Sequence, residues 1–148
     1  FTRRSGPGGQ HRNKVETAVV LRHIPTGIEA EANERRSQAE NRRMALWRLR
    51  LKLALAVRSP ATEESPPSEL WRSRLRGRRI AVRREHDDYP ALLAEALDQL
   101  AAQGCEPPRA AERLGCSASQ LWKLVSSEPL AVKQVNAARR ALGLRPLA

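Results

Sequence analysis

Residues 5–10, with the sequence SGPGGQ, combine the residue types of this chain that are best suited to chemistry. The adjacent Gly8 and Gly9 allow a backbone to enter a space too tight for any Cβ and to turn its N–H groups toward a ligand, as in sites that bind oxyanions and phosphates. Gln10 offers a hydrogen-bond donor and an acceptor, but it takes up no proton at neutral pH. It can therefore position water, but it cannot serve as a general base.

Other residues with chemical potential favour simpler interpretations. Ser5 and His11 lie close in sequence, but the chain contains no G-x-S-x-G element of a serine hydrolase. Ten residues separate Cys105 from Cys116, which fits neither a C-x-x-C redox pair nor a zinc knuckle. We expect two small buried thiols, no metal and no cofactor. The acidic pair at 87–88 precedes a predicted helix and is interpreted as a partner of its dipole.

The glycine-rich segment is predicted to be a loop, followed by a β-hairpin and a helix. Val15, Thr17, Val19 and Leu21 alternate with more polar residues, which indicates a half-buried strand. Turn residues at 25–27 then lead to a second alternating run, in which Ile28, Ala30 and Ala32 share one face.

Ser37 and Glu40 have the S-x-x-E spacing of a capping box, so a helix is predicted from about Ser37 to Val57. Its apolar residues recur at helical spacing and are expected to face the hairpin. They are Met44, Trp47, Leu51 and Ala54. Arg42, Arg43, Arg50 and Lys52 are expected mostly on other faces.

The fold class is therefore predicted as α+β, with four segments along the chain. Residues 1–57 form the loop, hairpin and helix, and residues 58–70 are a Pro- and Ser-rich linker. Residues 71–84 contain seven arginines and are predicted to be a basic arm with a possible short strand. Residues 85–148 are predicted to be a helical unit.

The helical unit carries clear start and stop signals. Gly104, Gly115 and Gly143 each follow an apolar helical pattern. The last pattern comprises Ala131, Val135, Ala138 and Leu142. Residues 110–124 are compatible equally with a helix-turn-helix and with a plain helical hairpin.

Charge points to a polyanionic partner. The chain has 27 basic and 16 acidic side chains, a net charge of +11. Residues 1–84 contain 20 basic and 8 acidic side chains, whereas residues 85–148 contain 7 and 8. Most of the cations are arginines, whose planar fork pairs bidentately with phosphate. We find no long apolar run and expect a monomeric, cytoplasmic protein without membrane attachment.

Three ordered blocks resemble the catalytic domain of class-I peptide release factors. They are residues 5–14 (SGPGGQHRNK), residues 23–28 (HIPTGI), and residues 34–38 (ERRSQ) with Asn41. The resemblance covers roughly residues 1–57 and agrees with the predicted loop, hairpin and helix.

The resemblance implies hydrolysis of the peptidyl-tRNA ester on the ribosome. In that family the backbone amide of the glutamine matching Gln10 bonds near the developing oxyanion, and its side chain admits water and excludes other nucleophiles. Gly8 and Gly9 would permit this backbone conformation, while the tRNA and ribosomal RNA complete the site. The implied partners are therefore the ribosome, at its peptidyl transferase centre, and P-site peptidyl-tRNA. The residues expected to contact RNA are Arg4, His11, Arg12, Asn13, Lys14, Arg35, Arg36, Gln38, Arg78 and Arg79.

The chain departs from codon-reading release factors after residue 57. Residues 58–148 contain no recognisable stop-codon motif, so we expect codon-independent rescue of stalled ribosomes, which short members of the family perform. One alternative is a ribosome- or RNA-binding factor without catalysis. A third is a helix-turn-helix DNA-binding protein, although Lys123 is the only cation in the candidate recognition helix.

Overall fold

The computed structural model describes residues 17–62 and 64–148, which form helices and short antiparallel strands. The chain divides into two compact units, Phe1–Leu53 and Ala54–Ala148. Within the described ranges, no helix is both long and apolar enough to cross a membrane. The strands are β1 (Val19–Arg22), β2 (Glu29–Ala32), β3 (Leu75–Arg76) and β4 (Arg79–Ile80). The helices are α1 (Gln38–Ala56), α2 (Glu69–Arg74), α3 (Tyr89–Ala102), α4 (Pro107–Leu114), α5 (Ala118–Ser126) and α6 (Pro129–Ala141).

The predicted hairpin of the first unit is confirmed. β1 and β2 pair antiparallel, with Val19 opposite Ala32 and Leu21 opposite Ala30. Both alanines are buried, whereas the glutamates that alternate with them in β2 are exposed. Gly27 in the connecting loop has φ +74°, a left-handed conformation that residues other than glycine rarely adopt.

β1 is shorter than the alternation predicted. It begins at Val19, and Val15 lies outside the described residues. Ala18, expected on the polar face, is buried instead. A small residue tolerates either face of a strand edge, so alternation is a weak guide there.

Helix α1 follows its predicted bounds to within one residue. Ser37 Oγ accepts a hydrogen bond from Glu40 N at 3.2 Å, as the capping signal predicts. Val19, Ala32 and Ala45 form the core of the unit, and Leu21 and Met44 pack against it. Of the residues predicted to face the hairpin, Met44 is confirmed by its packing against this core; Ala54 is buried, and Trp47 and Leu51 are half-buried.

The arginine-rich segment 71–84, predicted as a basic arm with a possible short strand, contains two short strands. It contains the end of α2 and the β3–β4 hairpin, and it packs within the second unit. Trp71 is fully buried and donates from Nε1 to Leu114 O at 2.8 Å, while Ile80 is buried nearby in sequence. These two buried residues anchor the segment. Its composition did not predict this, because arginines surround both residues in the sequence.

The remaining helices confirm the predicted stops. Gly115 ends α4 in the left-handed conformation, and Ser117 Oγ accepts from Gln120 N at 3.2 Å to start α5. The predicted last helix is also confirmed; within its apolar pattern Ala131 and Val135 are buried, whereas Ala138 and Leu142 are exposed. Arg139 is buried instead, and it donates to Cys105 O at 2.6 Å and to Arg145 O at 2.7 Å.

Two further expectations concern titratable groups of this unit. Both cysteines are free and buried, as predicted, and burial raises the pKa of Cys116 to about 11. Asp88 occupies the N-cap position of α3, but its side chain makes no capping hydrogen bond. Its carboxylate lies at the start of the helix, as predicted, and accepts from Arg74 Nη2 at 2.6 Å.

Candidate functional site

The glycine-rich loop itself lies outside the described residues. This holds for Gly8, Gly9 and Gln10 and for five predicted RNA contacts around them, which are Arg4, His11, Arg12, Asn13 and Lys14. The structure describes the frame from which the loop departs, beginning at Thr17. The geometry of this frame determines where the preceding segment is attached to the unit.

The centre of the frame is the side chain of Asn41, which is fully buried in the first turn of α1. Its Nδ2 donates to Thr17 O at 2.8 Å and to Arg35 O at 2.9 Å, and its Oδ1 accepts from Arg35 N at 3.0 Å. Thr17 Oγ1 also donates to Arg35 O, at 3.3 Å. One carboxamide therefore fixes both the chain leaving the loop and the turn before α1. A helix-interior asparagine that satisfies buried backbone groups is difficult to replace without leaving some of them unpaired.

Two cations farther along the same helix face secure β2. Arg48 Nη1 donates to Glu31 O at 2.8 Å, and Lys52 Nζ donates to Glu29 O at 2.7 Å. The expectation that Lys52 lies away from the hairpin was therefore wrong. A long apolar stem allows such a residue to reach a strand carbonyl even though its charge suggests solvent.

Glu34 forms an ion pair with Arg48 at the turn between β2 and α1. Arg48 Nη2 lies 2.6 Å from Glu34 Oε1, and Asn33 N donates to Glu34 Oε2 at 2.9 Å. The hydrogen bond from Arg48 is the main cause that lowers the pKa of Glu34 to about 2. The carboxylate thus stays charged and the turn stays closed across the ordinary pH range.

This braced turn presents the predicted RNA-contacting residues of the first unit. Arg35, Arg36 and Gln38 are all exposed. Within the described residues, neither arginine has a carboxylate at ion-pair distance. Asn41 fixes the backbone of Arg35, and both arginines are exposed beside it, an arrangement suited to contact with phosphates.

The second motif block, residues 23–28, forms the loop of the β1–β2 hairpin. Thr26 Oγ1 lies 2.9 Å from His23 Nδ1 and accepts from Ile28 N at 3.2 Å, which closes the loop. Ile24 at its tip is 81% exposed. The second and third motif blocks thus form the hairpin loop and the braced turn of one small unit, and the first block, residues 5–14, lies outside the described residues.

The last two predicted RNA contacts, Arg78 and Arg79, belong to the second unit and differ from each other. Arg78 Nη2 donates to Cys116 O at 3.3 Å, and its own carbonyl accepts from Ser117 N at 3.0 Å. It therefore connects the β3–β4 hairpin to the start of α5. Arg79 is exposed and forms no ion pair within the described part of the chain.

Sequence reasoning missed Asn41 as a functional support, although the residue stands in the third motif block. A polar residue one turn after a capping serine was the only local signal. Its partners Thr17 and Arg35 lie 24 and 6 residues away, so the network became visible only in the folded unit.

Comparison with known proteins places the motif blocks in context. The model of one protein family, the RF-1 domain, matches residues 1–87. The chain is 53% identical over 64 residues to the chloroplastic peptide chain release factor PrfB1 of Arabidopsis thaliana, an alignment covering 43% of this chain and 14% of that protein. No solved structure matches the chain.

Two further relatives show the same partial coverage. The mitochondrial translation release factor in rescue of Danio rerio is 49% identical over 63 residues, covering 43% of this chain and 40% of that protein. Peptide chain release factor 1 of Ureaplasma parvum is 48% identical over 62 residues, covering 42% and 17%. The chain thus spans less than half the length of each of these relatives.

Proposed function

The chain belongs to the RF-1 domain family of class-I peptide release factors, and from this premise we propose that it hydrolyses the ester of peptidyl-tRNA on the ribosome. The observation that carries the proposal is the family match over residues 1–87, which includes the sequence Gly8-Gly9-Gln10. Relatives from a chloroplast, a mitochondrion and a bacterium are all named as release factors.

The proposed reaction uses water as the nucleophile. Water attacks the carbonyl carbon of the ester, the bond from that carbon to the ribose oxygen breaks, and the peptide leaves as a carboxylic acid while the tRNA regains its terminal hydroxyl. The backbone amide of Gln10 stabilises the oxyanion that develops during attack, and adjacent glycines permit the required backbone approach. The glutamine side chain positions the water and takes no proton.

The hydrogen bonds of Asn41 support the proposed role of the loop. The described residues of the first unit fix the backbone at Thr17 and Arg35 through three hydrogen bonds from one buried side chain. A catalytic loop attached to a rigid base loses less freedom when it enters its site, which lowers the barrier for an oriented reaction. Arg35 and Arg36 lie exposed at the same turn, so we propose that they contact ribosomal RNA.

The finer proposal is rescue of stalled ribosomes without a stop codon. Its support is the similarity to the Danio rerio rescue factor, of which the chain covers a larger share than it covers of the other two relatives. The ribosome and P-site peptidyl-tRNA would be the partners.

A release assay tests both the proposed hydrolysis and the proposed rescue without a stop codon. Ribosomes carrying labelled peptidyl-tRNA are prepared on an mRNA that ends in the P site and on one with a stop codon in the A site. We expect release from the truncated complex at a rate that a stop codon does not increase. Release only with a stop codon would refute rescue but retain hydrolysis. Salt-sensitive binding without release on either complex would favour the non-catalytic alternative.

A further inference from the structure

A groove of about 490 Å³ crosses the second unit between the β3–β4 segment and helix α5. Its lining contains four arginine or lysine side chains and no carboxylate. Those four are Arg74, Arg79, Arg83 and Lys123. Three come from the arginine-rich segment, and Lys123 comes from the second helix of the α4–α5 pair. The fold therefore gathers cations that lie about 40 residues apart in the sequence.

Three of these cations are available to a ligand. Arg74 is paired with Asp88 at 2.6 Å. By contrast, Arg79, Arg83 and Lys123 are exposed, and within residues 17–62 and 64–148 none has a carboxylate at ion-pair distance. Uncompensated positive charges in a concave surface concentrate the local field and attract anions.

The walls of the groove are held in place by the protein itself. Arg84 Nη2 lies 2.6 Å from Glu128 Oε2, and Arg84 Nε donates to Ser127 O at 3.0 Å, which joins the wall at Arg83 to the end of α5. Beneath them Tyr89 Oη donates to Leu124 O at 2.8 Å. Burial raises the pKa of Tyr89 to about 12, so this donor keeps its proton. These contacts therefore hold the two walls of the groove together without a ligand.

The larger apolar residues of the lining are mostly covered, which disfavours a peptide ligand. Ile80, Leu124 and Tyr89 expose only 8%, 4% and 1% of their surface, whereas Val82 is half-buried and the small Ala81 is exposed. A protein partner normally anchors an aromatic or aliphatic side chain in an open apolar pocket, whereas a nucleic-acid backbone is bound chiefly by cations. Gln120 and Ser127 add neutral hydrogen-bonding groups of the kind that contact phosphate and sugar.

We propose that this groove is a second RNA-binding site, in which Arg79, Arg83 and Lys123 bind consecutive phosphates of a single RNA strand. The identification of that RNA as ribosomal or messenger RNA rests on the proposed function, but the site itself does not. It lies wholly in the second unit and contains none of the catalytic residues Gly8, Gly9 and Gln10, and it shares only Arg79 with the predicted RNA contacts.

The test compares two triple variants of the full chain. R79Q/R83Q/K123Q removes the groove cations, and R72Q/R113Q/K133Q removes the same residue types from exposed positions that do not line the groove. Binding of a fluorescein-labelled 20-nucleotide oligouridylate is measured by anisotropy between 50 and 200 mM KCl. Each lost phosphate contact lowers the salt dependence, the slope of log K against log salt, by about 0.7 for single strands.

We expect the groove variant to lower that slope by about 2, so that the wild-type affinity falls about 20-fold more than the variant affinity across this salt range. The control variant should retain most of the slope, and Lys123→Gln alone should lower it by about 0.7. Equal slopes for the two triple variants would overturn the proposal. It would also be overturned if labelled polyglutamate bound as tightly as the oligouridylate and lost affinity equally in the groove variant, because the site would then favour carboxylates.

The same proteins separate this proposal from the proposed function. Gln10→Ala, which changes no residue of the groove, is assayed beside them for peptide release and for the salt slope. If Gln10→Ala left release unaffected while the two triple variants still differed in slope, hydrolysis would be refuted and the RNA site would stand. If Gln10→Ala abolished release and the two triple variants had equal slopes, only the proposal for the groove would be refuted.

Discussion

Replacing Asn41 with alanine tests whether one carboxamide braces the frame of the catalytic loop. The substitution removes three hydrogen bonds to the backbone of Thr17 and Arg35. At about 1 kcal/mol for each bond, the first unit should lose about 3 kcal/mol of its free energy of unfolding. A small domain has only about 5 kcal/mol or somewhat more in total, so this loss is a large fraction.

The measurement is urea unfolding of the full chain, followed by hydrogen exchange of peptides that cover residues 28–36. These peptides report on the first unit even if the second unfolds separately. Asn33→Ala is the matched control, because the Asn33 side chain forms no hydrogen bond within the described residues. We expect the control to change stability by less than about 0.5 kcal/mol. If Asn41→Ala were no less stable than the control, the bracing role of Asn41 would be refuted.

Three further substitutions test single contacts. Glu34→Gln removes a carboxylate whose pKa is lowered to about 2 by Arg48. The ion pair stabilises the fold above about pH 4.5, and this stabilisation is lost as the pH falls through 2. Because the Glu34 side chain is 47% exposed, the ion pair contributes under about 1 kcal/mol. Urea midpoints of variant and wild type should differ at pH 6 and converge near pH 2; identical midpoints at pH 6 would contradict this. Trp71→Phe leaves Leu114 O without its buried partner and should cost about 1–3 kcal/mol in thermal unfolding, whereas an unchanged midpoint would show the bond to be unimportant. Gly115→Ala forces an alanine to φ +76° and should cost about 1–2 kcal/mol; no loss would mean that the turn relaxes.

The elements with local signals were predictable from the sequence. Ser37 and Ser117 cap helices where the spacing indicated, and Gly115 ends α4 in the left-handed conformation. Alternation in β2 likewise identified its buried face. Each of these signals is carried by residues within one or two turns of each other, so the sequence alone contains them.

The contacts that the sequence did not reveal join distant residues. Trp71 bonds to a carbonyl 43 residues away, and Arg139 to one 34 residues away. Asn41 reaches Thr17 across 24 residues. A polar residue is expected at the surface from its type alone. It can be buried when folding brings distant backbone groups within hydrogen-bonding distance of its side chain. The basic groove has the same origin, because Lys123 joins the arginines only in the folded unit.

The sequence also predicted only part of the candidate site. The motif block at residues 23–28 lies in the predicted hairpin, the block at residues 34–38 leads into the predicted helix, and Asn41 explains why this block extends into the helix. The roles of Gly8, Gly9 and Gln10 remain predictions from the family resemblance. Their chemistry depends on a substrate and on ribosomal RNA, which no local pattern in this chain supplies.

The most direct test of hydrolysis is the single-turnover rate of peptide release from ribosomes stalled on truncated mRNA, measured for Gly9→Ala, Gln10→Ala and the matched control Gln134→Ala. Gly9→Ala adds a Cβ that shifts the backbone amide of Gln10, and Gln10→Ala keeps that amide but removes the side chain that positions water. Misplacing either the oxyanion donor or the nucleophile lowers such rates by about 100-fold or more. We predict losses of at least that size for the two loop variants, wild-type release for Gln134→Ala, and unchanged cosedimentation with ribosomes for all three. Wild-type release by both loop variants would contradict the account.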